Sequence, residues 1–425
     1  MFTGRVYAVD GEEYIGLEDV FIRVYEGHPT LQAAREELKA VQELYPQARA
    51  GWLPSLDAEA GIFSTKVESS NFGAGDGATT KDLTLSLDQP LWRGGRTFAE
   101  TARAHDLIRA GEAVLSGAVQ SLFLDAATSY MDVLRDQDLF ELRRQSEHIL
   151  LQDYYAVRER EKLGSATVTD ILQTRVRLER AKSQRIDAHN NLSRSLAAFQ
   201  NIMAVWPPYI LEAPQHDFEF SGDMAEMVAV AEERNPELLI AKYEYDAAKH
   251  HSDAVFRELL PQVAAFASYN KQYDPQPGIV EESETQSVGV RMTLALYRGG
   301  GTRSRIREAK RNFKQREYEI SEIRREIQQE IVSHWRSYKA AQAESFIRMR
   351  EIEAAQAALQ GVREEFVLGQ RVMLDILDAD EELINARVAF TRARRNESVT
   401  GFALAKSLGF LSPAALGVVQ AGRVE

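Results

Sequence analysis

The chain is written twice, and no other feature limits its fold as much. Gly27-His28-Pro29-Thr30-Leu31 returns as Arg234-Asn235-Pro236-Glu237-Leu238, and Leu53-Pro54 returns as Leu260-Pro261, both at an offset of 207 residues. Leu91-Trp92-Arg93-Gly94-Gly95 returns as Leu296-Tyr297-Arg298-Gly299-Gly300 at an offset of 205. The same 205 relates Lys162-Leu163-Gly164 to Val367-Leu368-Gly369, and Thr169-Asp170-Ile171-Leu172 to Leu374-Asp375-Ile376-Leu377. The register slips only between Tyr269 and Val288. Chance similarity does not hold one register over separate patches, so this is duplication of a unit of roughly 200 residues and not a solenoid of short repeats. The boundaries are residues 1–222 for the first repeat, 223–409 for the second and 410–425 for a tail.

Each half reads helix, strand, strand, helix, helix, so the fold class is mostly α with a small β part. A helical stretch lies near Leu17–Ala50 and again near Met224–Glu258. Leu-Pro stops each one, because a proline disfavours helix in the residue before it. Alternation of period two then predicts strands at about 55–65 and 262–271, carried by Leu56, Ala58, Ala60 and Ile62 and by Val263, Ala265, Ala267 and Tyr269. Polar loops follow, Ser69–Lys81 and Asp274–Gln286. The second strands are expected at about 83–92 and 287–297, with Leu83, Leu85 and Leu87 and with Val288, Val290, Met292, Leu294 and Leu296 on one face.

A long helix begins at each Gly-Gly. Ile306, Phe313, Ile320 and Ile327 recur every seven residues, widened by Ile323 and Ile331, with Ile108, Leu115 and Leu122 equivalent in the first half. Heptad spacing argues packing against other helices. Over Thr302–Phe366 the only Gly or Pro is Gly361, which predicts a helix of about 95–100 Å. Gly164 and Gly369 are placed as left-handed caps. Return helices over Val168–Ala204 and Val372–Leu408 cover about half that length. Residues 204–223, with Pro207, Pro208 and Pro214, read as a linker.

Charge and composition remove several function classes. Lys plus Arg is 51 against 64 Asp plus Glu, a net −13 with no basic block, which disfavours nucleic acid as a partner. Cysteine is absent, so disulfides, thiolate metal sites and a Cys nucleophile are excluded. The eight His are scattered, with His250-His251 adjacent and off any shared helix face. No metal site or cofactor is expected. Gly299-Gly300-Gly301 lacks the lysine of a phosphate loop, and no nucleophile elbow is present, so an enzyme is not expected. Met1–Ala8 has no apolar h-region and does not read as a signal peptide. No run reaches the 18–20 apolar residues of a spanning helix.

The four alternating segments have the length of a transmembrane strand, about ten residues. Trp92 and Tyr297 fall at equivalent strand ends, where membrane-interface aromatics sit. Four strands cannot close a barrel, and an open sheet edge is not tolerated in hydrocarbon. Either several chains close one barrel, three giving twelve strands, or the chain is a soluble coiled-coil scaffold with β-hairpin tips.

The motifs decide between these by resemblance. His28-Pro29 and Asn235-Pro236, the paired Leu-Pro, Gln89-Pro90-Leu91-Trp92-Arg93-Gly94-Gly95, and above all Gly369-Gln370-Arg371-Val372-Met373-Leu374-Asp375-Ile376-Leu377-Asp378-Ala379 resemble the TolC-like outer-membrane efflux and secretion channels over about residues 15–410. The resemblance implies a homotrimer in outer-membrane lipid of a Gram-negative bacterium. It implies a twelve-stranded β-barrel continued by a periplasmic α-helical barrel, with a periplasmic adaptor and an inner-membrane transporter as partners. It implies an exit duct for efflux or type I secretion. Asp375 and Asp378 match the family's constriction carboxylates, Arg371 a gating arginine and Asp170 its acidic partner. Phe366 stands where some relatives have Tyr, and Gln173 is the repeat counterpart of Asp378. Two ordinary readings stay open: Asp170 and Asp375 both fall in a first helical turn, where Asp is favoured by the helix dipole alone, and Arg371 also reads as a surface arginine.

Overall fold

The computed structural model describes residues 8–9, 12–13, 16–65, 68–69, 73–74, 78–203, 220, 222–276, 280–414 and 416. Most of the linker and of the tail beyond residue 416, and the start of the chain, lie outside these residues. The first half gives α1 (Leu17–Gly27), α2 (Pro29–Gln42), α3 (Leu44–Arg49), β1 (Ser55–Thr65), β2 (Ala78–Arg93), α4 (Arg96–Lys162) and α5 (Val168–Met203). The second gives α6 (Met224–Arg234), α7 (Pro236–Phe256), β3 (Gln262–Gln276), β4 (Val280–Thr293), α8 (Gly301–Val367) and α9 (Met373–Ser407). Two-residue strand pairs add Ala8–Val9 with Glu12–Glu13, and Glu68–Ser69 with Gly73–Ala74. The duplication is exact to the residue in the long helices: α4 and α8 each have 67 residues, about 100 Å at 1.5 Å per residue.

Four expectations change. The polar stretches read as loops are largely strand, since β2 begins at Ala78, β3 runs to Gln276 and β4 begins at Val280, where polar cross-strand pairs such as Lys271–Glu284 carry the ladder on. The opening helices are broken at His28 and Asn235, which hold extended ψ angles of 128° and 121° before their prolines. Proline bars helix at the preceding residue yet suits the first helical position, so α1 separates from α2 and α6 from α7; the first opening stretch breaks once more at Glu43, before α3. The fourth strand ends at Thr293, not near 297, because β3, its one neighbour among the described residues, begins at the Gln262–Thr293 pair and does not extend alongside Leu294, Leu296 and Tyr297. Tyr297 therefore lies past the strand end, whereas Trp92 lies within β2 opposite Val263. Finally, α4 holds one window long and apolar enough to cross a bilayer, although none was expected; a third of it is buried inside this chain.

The described residues group into two compact units, each drawing on both repeats: Met1–Arg35 with Val114–Glu237 and Arg324–Glu425, and Glu36–Ala113 with Leu238–Ile323. The first has the larger core. Val20, Phe21 and Val24 of α1 pack with Phe123, Ala126, Ala127 and Tyr130 of α4, Phe199 of α5 and Phe402 of α9. The Phe21 ring lies 4.9 Å from that of Phe123, tilted by 40°, and meets Phe402 edge-on at 6.2 Å, geometry that adds to simple area burial. Buried alanines let the long helices approach closely. Asn235 ties the start of α7 to the end of α9 within the second repeat: its Nδ2 donates to the Ser407 carbonyl at 3.0 Å, and its Oδ1 accepts from the Glu237 N–H at 2.9 Å.

In the second unit the sheet order is β1-β2-β3-β4, antiparallel throughout. Leu56, Leu87, Ala267 and Val288 form one cross-strand row, and Ala58, Leu85, Tyr269 and Gln286 the next row on that face. The other face carries Asp57, Ser86, Ser268 and Ser287, then Glu59, Thr84, Asn270 and Thr285. Asn270 donates to the Thr84 hydroxyl at 2.8 Å across it. The apolar face is uncovered, with Leu56 72% and Val288 86% exposed. Among the described residues β1 and β4 each pair on one side only.

Asn235 is 4% exposed, so Asn235→Ala strands a buried carbonyl and N–H. The expected cost is about 1–3 kcal/mol, read as a lower thermal midpoint by circular dichroism. Asn235→Asp keeps an acceptor for the Glu237 N–H but sets a carboxylate oxygen against the Ser407 carbonyl, and is expected to lower the midpoint at least as much.

Candidate functional site

The functional side chains sit where the 67-residue helices turn back. Both turns use glycine in the left-handed region, Gly164 at φ 72° and Gly369 at φ 75°. Each closes with the N–H of the next residue reaching back five positions: Ser165 to the Arg160 carbonyl and Gln370 to the Glu365 carbonyl, both 2.9 Å. That bond satisfies carbonyls the helix end leaves free. A Cβ at either glycine meets no atom within 4 Å, so backbone strain and not crowding selects glycine there.

After the turn each return helix is capped from its own first turn. Asp170 Oδ2 accepts from the Thr167 N–H and hydroxyl, both at 2.8 Å, while Thr167 Oγ1 accepts from the Asp170 N–H at 3.2 Å. These bonds hold the Asp170 carboxyl below the usual carboxylate range. Asp375 Oδ2 accepts from the Val372 N–H at 3.1 Å. The helix-stabilising reading of these two residues thus has direct geometry.

The other predicted residues find partners that the sequence reading missed. Within the chain Arg371 pairs with Glu365 at 2.7 Å, not with Asp170. The Glu365 hydrogen bond, with Glu365 and Asp375 charge behind it, raises the Arg371 pKa. The Phe366 ring lies under the Arg160 guanidinium at 4.9 Å and packs against a cluster of Leu359, Ile376 and Leu383. Asp378 does not stand as a bare carboxylate: Arg177 of α5 donates to it at 2.5 Å and to Glu381 at 3.0 Å, with Arg180 3.8 Å from Glu381. Asp378 is 60% exposed at its side chain and Arg177 only 18%. One signal for this pair was present: Arg177 lies one helical turn past Gln173, the repeat counterpart of Asp378. Trp92 and Tyr297 are 48% and 85% exposed.

The chemistry of this arrangement is electrostatic. Among the described residues no group of three or more His, Asp or Glu is placed to hold a metal. The turns present carboxylates balanced by arginines on neighbouring helices.

The comparisons with known proteins agree on one answer. The family described as outer membrane efflux protein matches residues 23–205 and 227–410. The outer membrane efflux protein BepC of Brucella suis is 26% identical over 95% of this chain and 87% of its own. The alkaline protease secretion protein AprF of Pseudomonas aeruginosa is 24% identical, covering 96% and 88%. TolC of Escherichia coli is 22% identical, covering 93% and 82%. Among solved structures, CusC, described as forming a transmembrane channel, superposes with a TM-score of 0.80 at 14% identity over 92% of both chains. A Pseudomonas aeruginosa membrane protein gives 0.80 at 18% identity over 92% of this chain and 90% of its own.

The chain belongs to the outer membrane efflux protein family. It is an outer-membrane exit duct of a Gram-negative bacterium with the TolC-type fold, and the soluble scaffold is set aside. Members of this family are channels, not enzymes.

In such a channel the uncovered apolar face of the sheet is expected to face lipid. Val290, 67% exposed and opposite Ala265, lies within the apolar rows. Val290→Arg is expected to cost about 2–4 kcal/mol near mid-bilayer and to lower the yield of assembled protein in outer-membrane fractions. Thr285→Arg, on the polar face, is expected to leave that yield unchanged.

Proposed function

We propose that three copies of this chain close one twelve-stranded barrel, and that the carboxylates after the Gly369 turn ring the closed end of the duct. The observation that carries the reading is the four-stranded sheet, apolar on one face and unpaired at both edges. In hydrocarbon every backbone N–H and C=O needs a partner, so the edges must join other copies. The strand length fits. From Val263, opposite Trp92, to Tyr273 is ten residues, about 33 Å at 3.3 Å per residue. At a strand tilt of about 40° this projects to about 25 Å, the height of the apolar band of such barrels. Trp92 and Tyr297 serve the interface at one end, and Tyr269 and Tyr273 the other.

The partners are a periplasmic adaptor and an inner-membrane transporter. Relatives named for efflux and for protease secretion support cargo ranging from small molecules to polypeptides. Export needs no chemistry at the duct itself, only an opening.

In a trimer Asp375 and Asp378 recur three times around one axis. Like charges at close range repel and attract cations. Arg177 tempers that field in each copy. Arg371, Asp170 and Phe366 hold the turns in the closed arrangement. Conductance across planar bilayers tests this. The wild-type channel is expected to prefer cations and to be blocked by trivalent cations. Replacing both Asp375 and Asp378 by Ala should weaken the block at least tenfold; unchanged block with lowered thermal stability would leave these residues as helix caps only. Arg371→Ser should raise conductance, since it removes the Glu365 bond across the turn.

Arg177→Gln moves the same quantity the other way. It frees Asp378 and Glu381 from their counter-charge, so trivalent block should tighten several-fold.

A further inference from the structure

A cleft of about 220 Å³ opens between α4, α5, α8 and α9. Its lining is unusual for an acidic protein. Arg143, Arg177, Arg180, Arg363 and Arg387 all contribute, against only Asp380 and Glu381. Those two carboxylates are already committed. Arg363 donates to both oxygens of Asp380, at 3.0 and 3.2 Å. Glu381 is held by Arg177 at 3.0 Å, with Arg180 at 3.8 Å.

Two guanidiniums are left over. Among the described residues Arg143 has one hydrogen bond, to the Gln184 amide oxygen at 3.0 Å. Arg387 has no hydrogen-bond or ion-pair partner among the described residues, and both side chains are half-buried. Burial first, and the charge of Arg392 second, lower the Arg143 pKa, with Glu381 opposing. A positive group drawn out of water without a counter-charge is costly. An oxyanion answers it, because the planar fork of arginine matches two oxygens at once.

The rest of the cleft is apolar. Leu359, Leu377, Leu383 and Ile384 line it and are each less than 10% exposed. Apolar walls with a few convergent polar groups are the general form of a small-molecule site. The volume equals the share of about seven waters in liquid, enough for a small aromatic or short acyl body and too small for a drug-sized one.

We propose that this cleft binds a small organic monoanion with an apolar body, an aryl or short acyl carboxylate or sulfonate, its oxyanion meeting Arg143 and Arg387 and its body lying on the Leu383 and Ile384 floor. The charged group fixes the orientation. The floor sets the preference over inorganic anions. An occupant also competes with Asp378 and Glu381 for Arg177 and Arg180, which links the cleft to the charge at the turn.

The test uses the full chain in uncharged detergent and 2-naphthalenesulfonate as probe, followed by calorimetry against matched empty micelles. One saturable site per chain is expected. Inorganic sulfate and the neutral 2-naphthalenemethanol should each bind at least tenfold more weakly. Arg387→Gln should weaken probe binding at least tenfold; since Arg387 has no partner to lose, this variant keeps the wild-type fold. Arg143→Lys, which retains the charge but not the fork, should lose several-fold. Arg350→Gln, on an exposed stretch of α8 paired to Glu353, should change nothing. Absence of saturable binding overturns the proposal. So does binding equal in Arg387→Gln, or equal affinity for sulfate, which marks a general ion atmosphere. Tight probe binding only after the assembly is dissociated also overturns it, because a carboxylate from a neighbouring copy then fills the cleft. None of these readouts depends on conductance, so the site stands or falls separately from the gate.

Discussion

A β-sheet edge facing hydrocarbon is the constraint from which the rest of this molecule follows. Each unpaired backbone group there costs several kcal/mol, and β1 and β4 present a full strand of them. One chain cannot complete its own sheet, so the functional unit is an assembly. The register serves that end. Adjacent rows in the middle of the sheet alternate, Leu56-Leu87-Ala267-Val288 against Asp57-Ser86-Ser268-Ser287, with Gln286, Lys271 and Glu284 appearing on the apolar face only further along, and a slip of one residue there would turn serines and carboxylates into lipid. The glycines that follow the strands complete the device. Gly94, Gly95, Gly299 and Gly300 all hold positive φ, 60° to 82°; in the first half the pair lets β2 pass into α4 within two residues, and in the second it turns the chain directly before α8. Gly94 has a second reason, since a Cβ there would lie 2.7 Å from Leu260.

The two repeats share a scaffold and divide the chemistry. Their long helices have equal lengths, and their turns close with the same backbone bonds. The charged groups differ. Arg160 in the first half stands where Glu365 stands in the second, and Ala166 where Arg371 stands. The Glu365–Arg371 pair therefore has no first-half counterpart. Thr167 caps α5 reciprocally with Asp170, whereas its counterpart Val372 has no side-chain acceptor and leaves Asp375 to cap α9 alone. Duplication supplied the geometry twice, and the second copy carries the charge.

Much of this is written plainly in the sequence because it is local. Gly-Gly, Leu-Gly and Leu-Pro punctuate the chain, and period two or seven fills the spaces between. The misses have a physical reason too. Pro29 and Pro236 read as tolerable first-turn residues, but their effect on His28 and Asn235 splits each opening helix. The end of β4 depends on where β3 begins, 31 residues earlier in the Gln262–Thr293 pair, and alternation within Leu294 and Leu296 says nothing about that. Ala126 and Ala127 are fully buried yet add little to an apolar stripe. Arg177 and Asp378 are 201 residues apart, and no periodicity connects them; only the repeat, through Gln173, places them on neighbouring turns.

The internal repeat also separates stability from function at the turn. Asp170 and Asp375 are equivalent positions, and each accepts the N–H at the start of its own return helix. A role shared by both copies is the structural one, since every helix start needs its donors satisfied. Asp378 is different. It lies beyond the orphan N–H groups of the first turn, its counterpart is Gln173, and its contact is a guanidinium on another helix. Helix stability gives no reason for a carboxylate there, because an exposed ion pair contributes about 0–1 kcal/mol. What the Arg177 pair does provide is control over how much negative charge the turn shows. Arg177 is mostly buried and fixed by two carboxylates, while Asp378 is mostly exposed. The charge that varies with the surroundings is the one on the surface, and the charge that sets it is the one beneath.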